Sequence, residues 1–202
     1  EVSYNNFKDL CPVSFNGIDC GFFLSDAFRA APLIIKDYVV YAFDWMDEPL
    51  LDTQGRKVMR AHHDCSKVLP NYASKSLRKN GTIFTLNNKW PFIRKVGFDG
   101  GFYFRNRDIL ISDIPDDYLH LYANCYAVYT DRVHAAIAGL SFGHYARLYS
   151  KSPRGYLFER MGVGDVKSKL VKLDQEYFNR EKQNHISFLK NVFAEKAEAS
   201  VR

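Results

Sequence analysis

Long apolar runs are missing from this chain: nowhere in its 202 residues does one approach the length, about 20 positions, that a membrane-spanning helix needs. The first ten residues, EVSYNNFKDL, have neither the basic start nor the apolar middle of a secretory signal. Cysteine is sparse and scattered. Cys11, Cys20, Cys65 and Cys125 form no CxxC pair, which argues against a zinc site or a redox pair and for buried thiols in a reducing compartment. Lys and Arg number 28 against 23 Asp and Glu, yet no block of them is dense enough to track a nucleic-acid backbone. There is no internal repeat and no low-complexity segment. A soluble, cytoplasmic protein without a nucleic-acid partner is expected.

What is present points to a packed fold. With 47% hydrophobic and 25% charged residues the chain has material for one large domain or two small ones, which excludes disorder, collagen-like repeats and a small disulfide scaffold. The formal net charge of +5 suits a small anionic ligand better than a polyanion. Glu1 is not an initiator and nothing up to Asp37 completes a unit. Residues 1–37 are therefore expected to be a remnant of, or linker from, a preceding domain.

Tyr38-Val-Val-Tyr-Ala-Phe-Asp44 has the β-branched and aromatic character of a buried strand, and the acidic stretch Asp47–Gly55 after it reads as a loop at its carboxyl end. A helix after Pro70 in the stretch Lys67–Lys79, stopped by Asn80-Gly81, and a strand over Thr82–Leu86 would complete a strand–helix–strand unit. Asn87–Arg107 shows no clear period. Its aromatics are expected to fill the flank of a sheet, with a loop at Gly97–Gly101. Then come a strand at Ile109–Ser112, a helix at Asp116–Asn124 and a strand at Tyr126–Tyr129. Thr130-Asp131 caps a helix with Val133, Ile137 and Leu140 on one face and Gly143 at its end. Tyr145–Tyr149 is the next strand, and Ser152-Pro153 opens the next helix. This alternation predicts an α/β, Rossmann-like parallel sheet flanked by helices over residues 38–164. Residues 165–202 form a helical segment expected to brace a neighbour. Its helix, long or broken, runs from Asp165 to Ala199, with apolar stripes through Leu170, Leu173, Tyr177 and Phe178 and through Ile186, Leu189 and Phe193.

In such a sheet ligands bind beyond the carboxyl ends of the strands, where helix amino ends offer free N–H groups and partial positive charge. One such end has Asp131 at the cap, Arg132 first and His134 in the first turn; the next, one strand later, has Ser150, Lys151, Ser152, Arg154 and Gly155. Asp followed by Arg at a helix start is also ordinary capping. The second cationic loop one strand on favours an anion site, with Arg132 and Lys151 gripping a phosphate or carboxylate and Gly155 letting backbone approach it. Ala61-His-His-Asp-Cys65 places His62 and His63 beside the same crevice, but adjacent histidines point to different sides and chelate poorly, so no metal is expected. His120 and His144 read as surface residues, and Asp116-Asp117 as a helix start. Asn16-Gly-Ile-Asp-Cys-Gly-Phe-Phe23 resembles the cysteine turn of peptidases that process ubiquitin-like proteins. No histidine precedes Cys20, so a buried structural thiol is the better reading.

The stretch Leu119–Gly143, with Asp131-Arg132-Val133-His134 at its strand-to-helix junction, resembles the signature region of the polysaccharide pyruvyl transferase family, and Tyr145–Gly162 is similar to that family's next strand, loop and helix. The resemblance covers about residues 109–165 and, more thinly, 17–86, including Gly17-Ile-Asp-Cys-Gly-Phe-Phe-Leu24. It implies the carboxyl-terminal half of a glycosyltransferase-B-like enzyme of two Rossmann-like domains, whose amino-terminal domain is missing here. It implies a transferase of capsule or exopolysaccharide biosynthesis, working in the cytoplasm or at the inner face of the membrane. Such an enzyme moves a pyruvyl group from phosphoenolpyruvate, as co-substrate and without a cofactor, to a sugar or glycan acceptor as a ketal. By the same resemblance His134 is the general acid, Arg132 the anion clamp and Asp131 the capping or orienting group. Ser150, Lys151, Ser152 and Arg154 make the phosphate loop. Many members carry an arginine at the end of the first strand, where this chain has Asp44. An acid there repels phosphoenolpyruvate unless Arg56, Lys57 or Arg60 compensates. A glycosyltransferase-like relative with another donor, or a non-catalytic anion-binding domain of a larger glycan-synthesis protein, are the alternatives.

Overall fold

A computed structural model describes residues 2–10, 13–33, 37–62, 101–102, 109–112 and 114–199. The expected helix over 67–79, the strand over 82–86, most of 87–107, His63, Cys11 and Cys65 lie outside the described residues. The strands are β1 (Tyr38–Ala42), β2 (Lys57–Ala61), β3 (Gly101–Phe102), β4 (Ile109–Ser112), β5 (Ala127–Thr130) and β6 (Tyr145–Leu148). The described helices are α1 (Val2–Phe7), α2 (Leu24–Ala27), α3 (Pro115–Ala123), α4 (Val133–Ser141) and α5 (Gln175–Ala199), with short 3₁₀ turns between them.

The strands make one sheet in the order β3-β4-β2-β1-β5-β6. Every neighbouring pair is parallel except β3 with β4. β1 lies at the centre. From it the chain moves to β2 and β4 on one side, then returns to β5 and β6 on the other, so the direction of winding reverses between β1 and β5. Such a switch point leaves a crevice at the carboxyl ends of the two strands, because their connections depart to opposite sides.

The central position of β1 follows from its sequence. All its residues are buried, and its side chains divide by parity. Tyr38, Val40 and Ala42 join the core beneath α3 and α4, while Val39, Tyr41 and Phe43 join a second cluster with Ala127 and Tyr129 on the other face. The Tyr38 hydroxyl donates to the Leu121 carbonyl at 2.6 Å, so the ring is buried without stranding its polar end. α4 is buried almost all round and lies close on β5. A Cβ on Gly139 would sit 2.6 Å from Val128 Cγ2, an approach only glycine permits.

The divisions expected at 37 and 164 do not separate cores. Ile18 and Phe22 before the first, and Val166, Val171, Leu173 and Phe178 after the second, belong to the same cluster as β1 and α4. The segment 17–33 is tied down at Ile18 N–H by His185 Nδ1 (3.2 Å), at Ala31 N–H by His120 Nδ1 (3.1 Å) and at Ser25 N–H by Ser141 Oγ (3.0 Å). His120 is thus an anchor rather than a free surface residue.

Three other expectations change. The first described strand after β1 is β2 at Lys57–Ala61, reached through a loop with no helix in it, and the sequence pattern assigns no strand there. The helix expected from Asp165 begins only at Gln175. Before it, Val171 forms an antiparallel bridge with Ala146 that holds 165–174 against the sheet edge. Its first half packs through Phe178, whereas Leu189 and Phe193 of the second stripe are exposed. Cys125 is buried, its thiol pushed up in pKa by burial, but Cys20 is exposed at the start of a 3₁₀ turn. Among the described residues no helix is long and apolar enough to cross a membrane.

Candidate functional site

Two short segments build the switch point: Phe43–Met46 leaving β1, and Thr130–Arg132 leading from β5 into α4. Thr130 is fully buried and starts the construction. Its hydroxyl donates to the Ala42 carbonyl (2.7 Å) and accepts from Arg132 N–H (2.9 Å), stitching the two strand ends and turning the chain toward α4.

Asp131 was expected to cap the helix. The capping position is occupied instead by Arg132, and the buried Asp131 carboxylate turns toward β1, where it accepts the N–H groups of Asp44 (3.2 Å), Trp45 (2.6 Å) and Met46 (2.9 Å). This fixes a loop that has no regular structure of its own. Trp45, held in this way, is 83% exposed at the edge of the site.

Arg132 is not a free clamp. Its Nη1 donates to Asp44 Oδ2 at 2.5 Å, with the Asp44 side chain only 4% exposed and that of Arg132 35% exposed. Among the described residues the cation that meets the acid at the end of β1 is Arg132. Arg56 is tied to Asp37 and Gln54 and lies over the Tyr126 ring, and Arg60 is tied to Glu48. His62, just past β2, places Nδ1 3.6 Å from Asp44 Oδ1 and is itself buried. The sequence reading set Asp44 and His62 beside one crevice, and the structure brings them together. Tyr118 of α3 donates to the His62 carbonyl at 2.7 Å, while burial, Tyr118 and Asp44 raise the Tyr122 phenol, with Arg132 opposing them.

His134 stands exposed in the first turn of α4. The loop after β6 runs alongside, since β6 pairs with β5 and Tyr149 N–H donates to the Thr130 carbonyl at 2.7 Å. Within it Ser150 Oγ accepts from Ser152 N–H (3.1 Å), and Ser152 Oγ accepts from Arg154 N–H (3.2 Å) and caps the short turn Pro153–Leu157. Both hydroxyl oxygens thus help to set the loop geometry by accepting a backbone N–H. Lys151 and Arg154 are exposed and make no ion pair among the described residues. Gly155 makes room for Lys167 rather than for a ligand: a Cβ there would lie 2.4 Å from Lys167 Cε, and the Lys167 ammonium reaches the Ser152 carbonyl at 3.1 Å. Lys167 is a cation of this loop that sequence reasoning missed, its one signal being a small residue paired with a distant lysine.

Among the described residues no three His, Cys, Asp or Glu side chains are grouped to hold a metal. The site combines a buried acid held by an arginine, a buried imidazole beside it, an exposed imidazole at a helix start and exposed cations one strand away. That is an inventory for holding an anion and moving a proton. The chain matches no protein-family profile, no curated protein and no solved structure at a significant level.

Proposed function

We propose that this chain binds an anionic donor at the carboxyl edge of β1, β5 and β6, as the donor-side Rossmann-like domain of a glycosyltransferase-B-like pyruvyl transferase acting on a surface polysaccharide or glycan. One observation carries the reading: at the winding reversal of the sheet, the helix start with Arg132 and His134 stands beside a strand whose loop presents Lys151 and Arg154 with no acid paired to either among the described residues. The Asp131-Arg132-Val133-His134 resemblance then supplies phosphoenolpyruvate as the donor. In the reaction, His134 gives a proton to the methylene carbon of the enol, a sugar hydroxyl adds to the neighbouring carbon and its proton restores the imidazolium, and the second hydroxyl closes the ketal as phosphate departs carrying that hydroxyl's proton. Arg132, Lys151 and Arg154 hold carboxylate and phosphate.

The pairing of Arg132 with the buried Asp44 carboxylate favours a second reading, in which the donor is another anion such as a nucleotide sugar. Calorimetric titration of phosphoenolpyruvate and a nucleotide sugar against the same protein separates the two. The first reading expects phosphoenolpyruvate to bind, and Lys151→Ala with Arg154→Ala to weaken it by about tenfold or more. With an acceptor present, His134→Ala is expected to slow transfer by about a hundredfold to ten-thousandfold. Transfer unaffected by that change would sink the assigned acid, and tighter binding of the nucleotide sugar would move the reading to the second donor.

A further inference from the structure

We propose that His62 is the proton site that balances the charge of an anion bound at Arg132, so that anion binding at the end of β1 and β5 takes up a proton. The inference rests on the anion-binding reading above and assigns to it a residue that does not touch the ligand.

The geometry makes Arg132 a shared cation. Its guanidinium is the part-exposed member of the pair, and the Asp44 carboxylate it holds is nearly inaccessible to water. An anion arriving from solvent competes with Asp44 for those N–H donors. A buried carboxylate deprived of its countercharge is strongly unfavourable. Among the described residues, His62 stands ready to replace it. The His62 Nδ1 lies 3.6 Å from Asp44 Oδ1, is buried, and has no hydrogen-bond partner among the described residues. A neutral imidazole leaves the trio of Asp44, Arg132 and His62 with no net charge. Protonated, it supplies an N–H aimed at Asp44 and one positive charge against the incoming anion.

Among the described residues, the groups around His62 leave this role to it. From the loop after β1 there is Asp44, with Asp131 behind it engaged by the backbone of Asp44, Trp45 and Met46. From α4 there is Arg132, and from α3 the phenols of Tyr118 and Tyr122. On β2 itself Arg60 is tied to Glu48, and the contact from β4 is the Leu110 carbonyl, which accepts His62 N–H at 3.0 Å. Among these described groups His62 is the one imidazole, the side-chain type able to pass between neutral and cationic forms in the neutral range.

Sulfate tests the coupling cleanly, because it stays a dianion across the neutral range and any proton taken up belongs to the protein. Calorimetry in two buffers of different ionisation enthalpy counts that proton. It is run on the wild type and on His134→Gln, since the exposed His134 is a second imidazole at the anion site. Uptake is expected to survive His134→Gln and to vanish in His62→Gln, and affinity should rise by up to about tenfold per unit fall in pH only where His62 is present. Asp44→Asn, which frees Arg132, should bind sulfate more tightly and lose most of the pH dependence. Where that variant fails to fold, the ring resonances of His62 in the wild type give the same answer, titrating at higher pH once sulfate is added. Sulfate binding with no proton uptake, or uptake unchanged in His62→Gln, overturns the coupling and leaves the anion site standing. Failure of both sulfate and phosphoenolpyruvate to bind removes the anion site and the coupling with it.

Discussion

The junction of β1 with β5 and the loop after β6 sit side by side on one edge of the sheet, yet they treat charge in opposite ways. At the junction every charge is already answered inside the protein: Asp131 by backbone N–H groups, Asp44 by Arg132 with His62 at hand. In the loop, Lys151 and Arg154 face water with no acid beside them among the described residues. Buried charge needs compensation to exist at all, and once compensated it holds structure. Exposed charge contributes little to stability and is free for a ligand. A ligand that spans both would meet cations that are free and one that has to be drawn away from an internal partner.

The largest effect should come from the backbone acceptor. Asp131→Ala strands the N–H groups of Asp44, Trp45 and Met46 beside a buried hole, and a loss of about 3 kcal/mol is expected, since each hydrogen bond to a charged acceptor is worth roughly 1.5–3 kcal/mol. The denaturation midpoint measures it, with amide exchange at residues 44–46 rising first. A midpoint unchanged from wild type would mean that the loop holds itself without Asp131.

Next is the contrast between cations. Arg132→Ala leaves Asp44 buried without its arginine, which costs about 3–5 kcal/mol for a fully buried pair and is discounted here to about 2 kcal/mol because the guanidinium is partly exposed. Lys151→Ala and Arg154→Ala should each stay within about 0.5 kcal/mol of wild type while still weakening anion binding. Equal losses of stability from Arg132 and Lys151 would erase the distinction between the two regions.

Much of this edge was legible in the sequence because its signals are local. The strand end at Tyr129-Thr130, the charged start of α4 and the Ser152 cap all lie within a few residues of the motif that announces them. The partnership of Asp44 with Arg132 joins residues 88 apart, and no spacing rule predicts which cation will answer a given acid. Arg56, Lys57 and Arg60 are equally plausible from the sequence, and of these Arg56 and Arg60 are tied to carboxylates of their own at Asp37 and Glu48. β2 was overlooked because Lys57 and Arg60 interrupt its apolar positions in so short a strand, although Val58 and Met59 already divide between the two faces. The premature helix at 165 arose because Leu170 and Leu173 fit a helical stripe. Their actual use is in a strand-like bridge region, where Val171 reaches Ala146 and Leu173 reaches the core.

The smallest effect separates binding from folding. His144, before β6, lies at the opposite edge from His62 and differs from it in surroundings: burial lowers its pKa first, Lys172 lowers it further, and its Nε2 contact with the Ala123 carbonyl (2.9 Å) only partly opposes them. The unfolded chain therefore binds a proton at His144 more readily than the folded one. Stability should be full above the ordinary histidine pKa of about 6.5, fall as pH drops below it, and level off once the lowered folded-state value is passed. His144→Gln should flatten that limb of the stability–pH curve without altering proton uptake on sulfate binding, whereas His62→Gln should abolish the uptake and leave the His144 limb in place. Loss of both responses from either single change would show that the two histidines do not act independently.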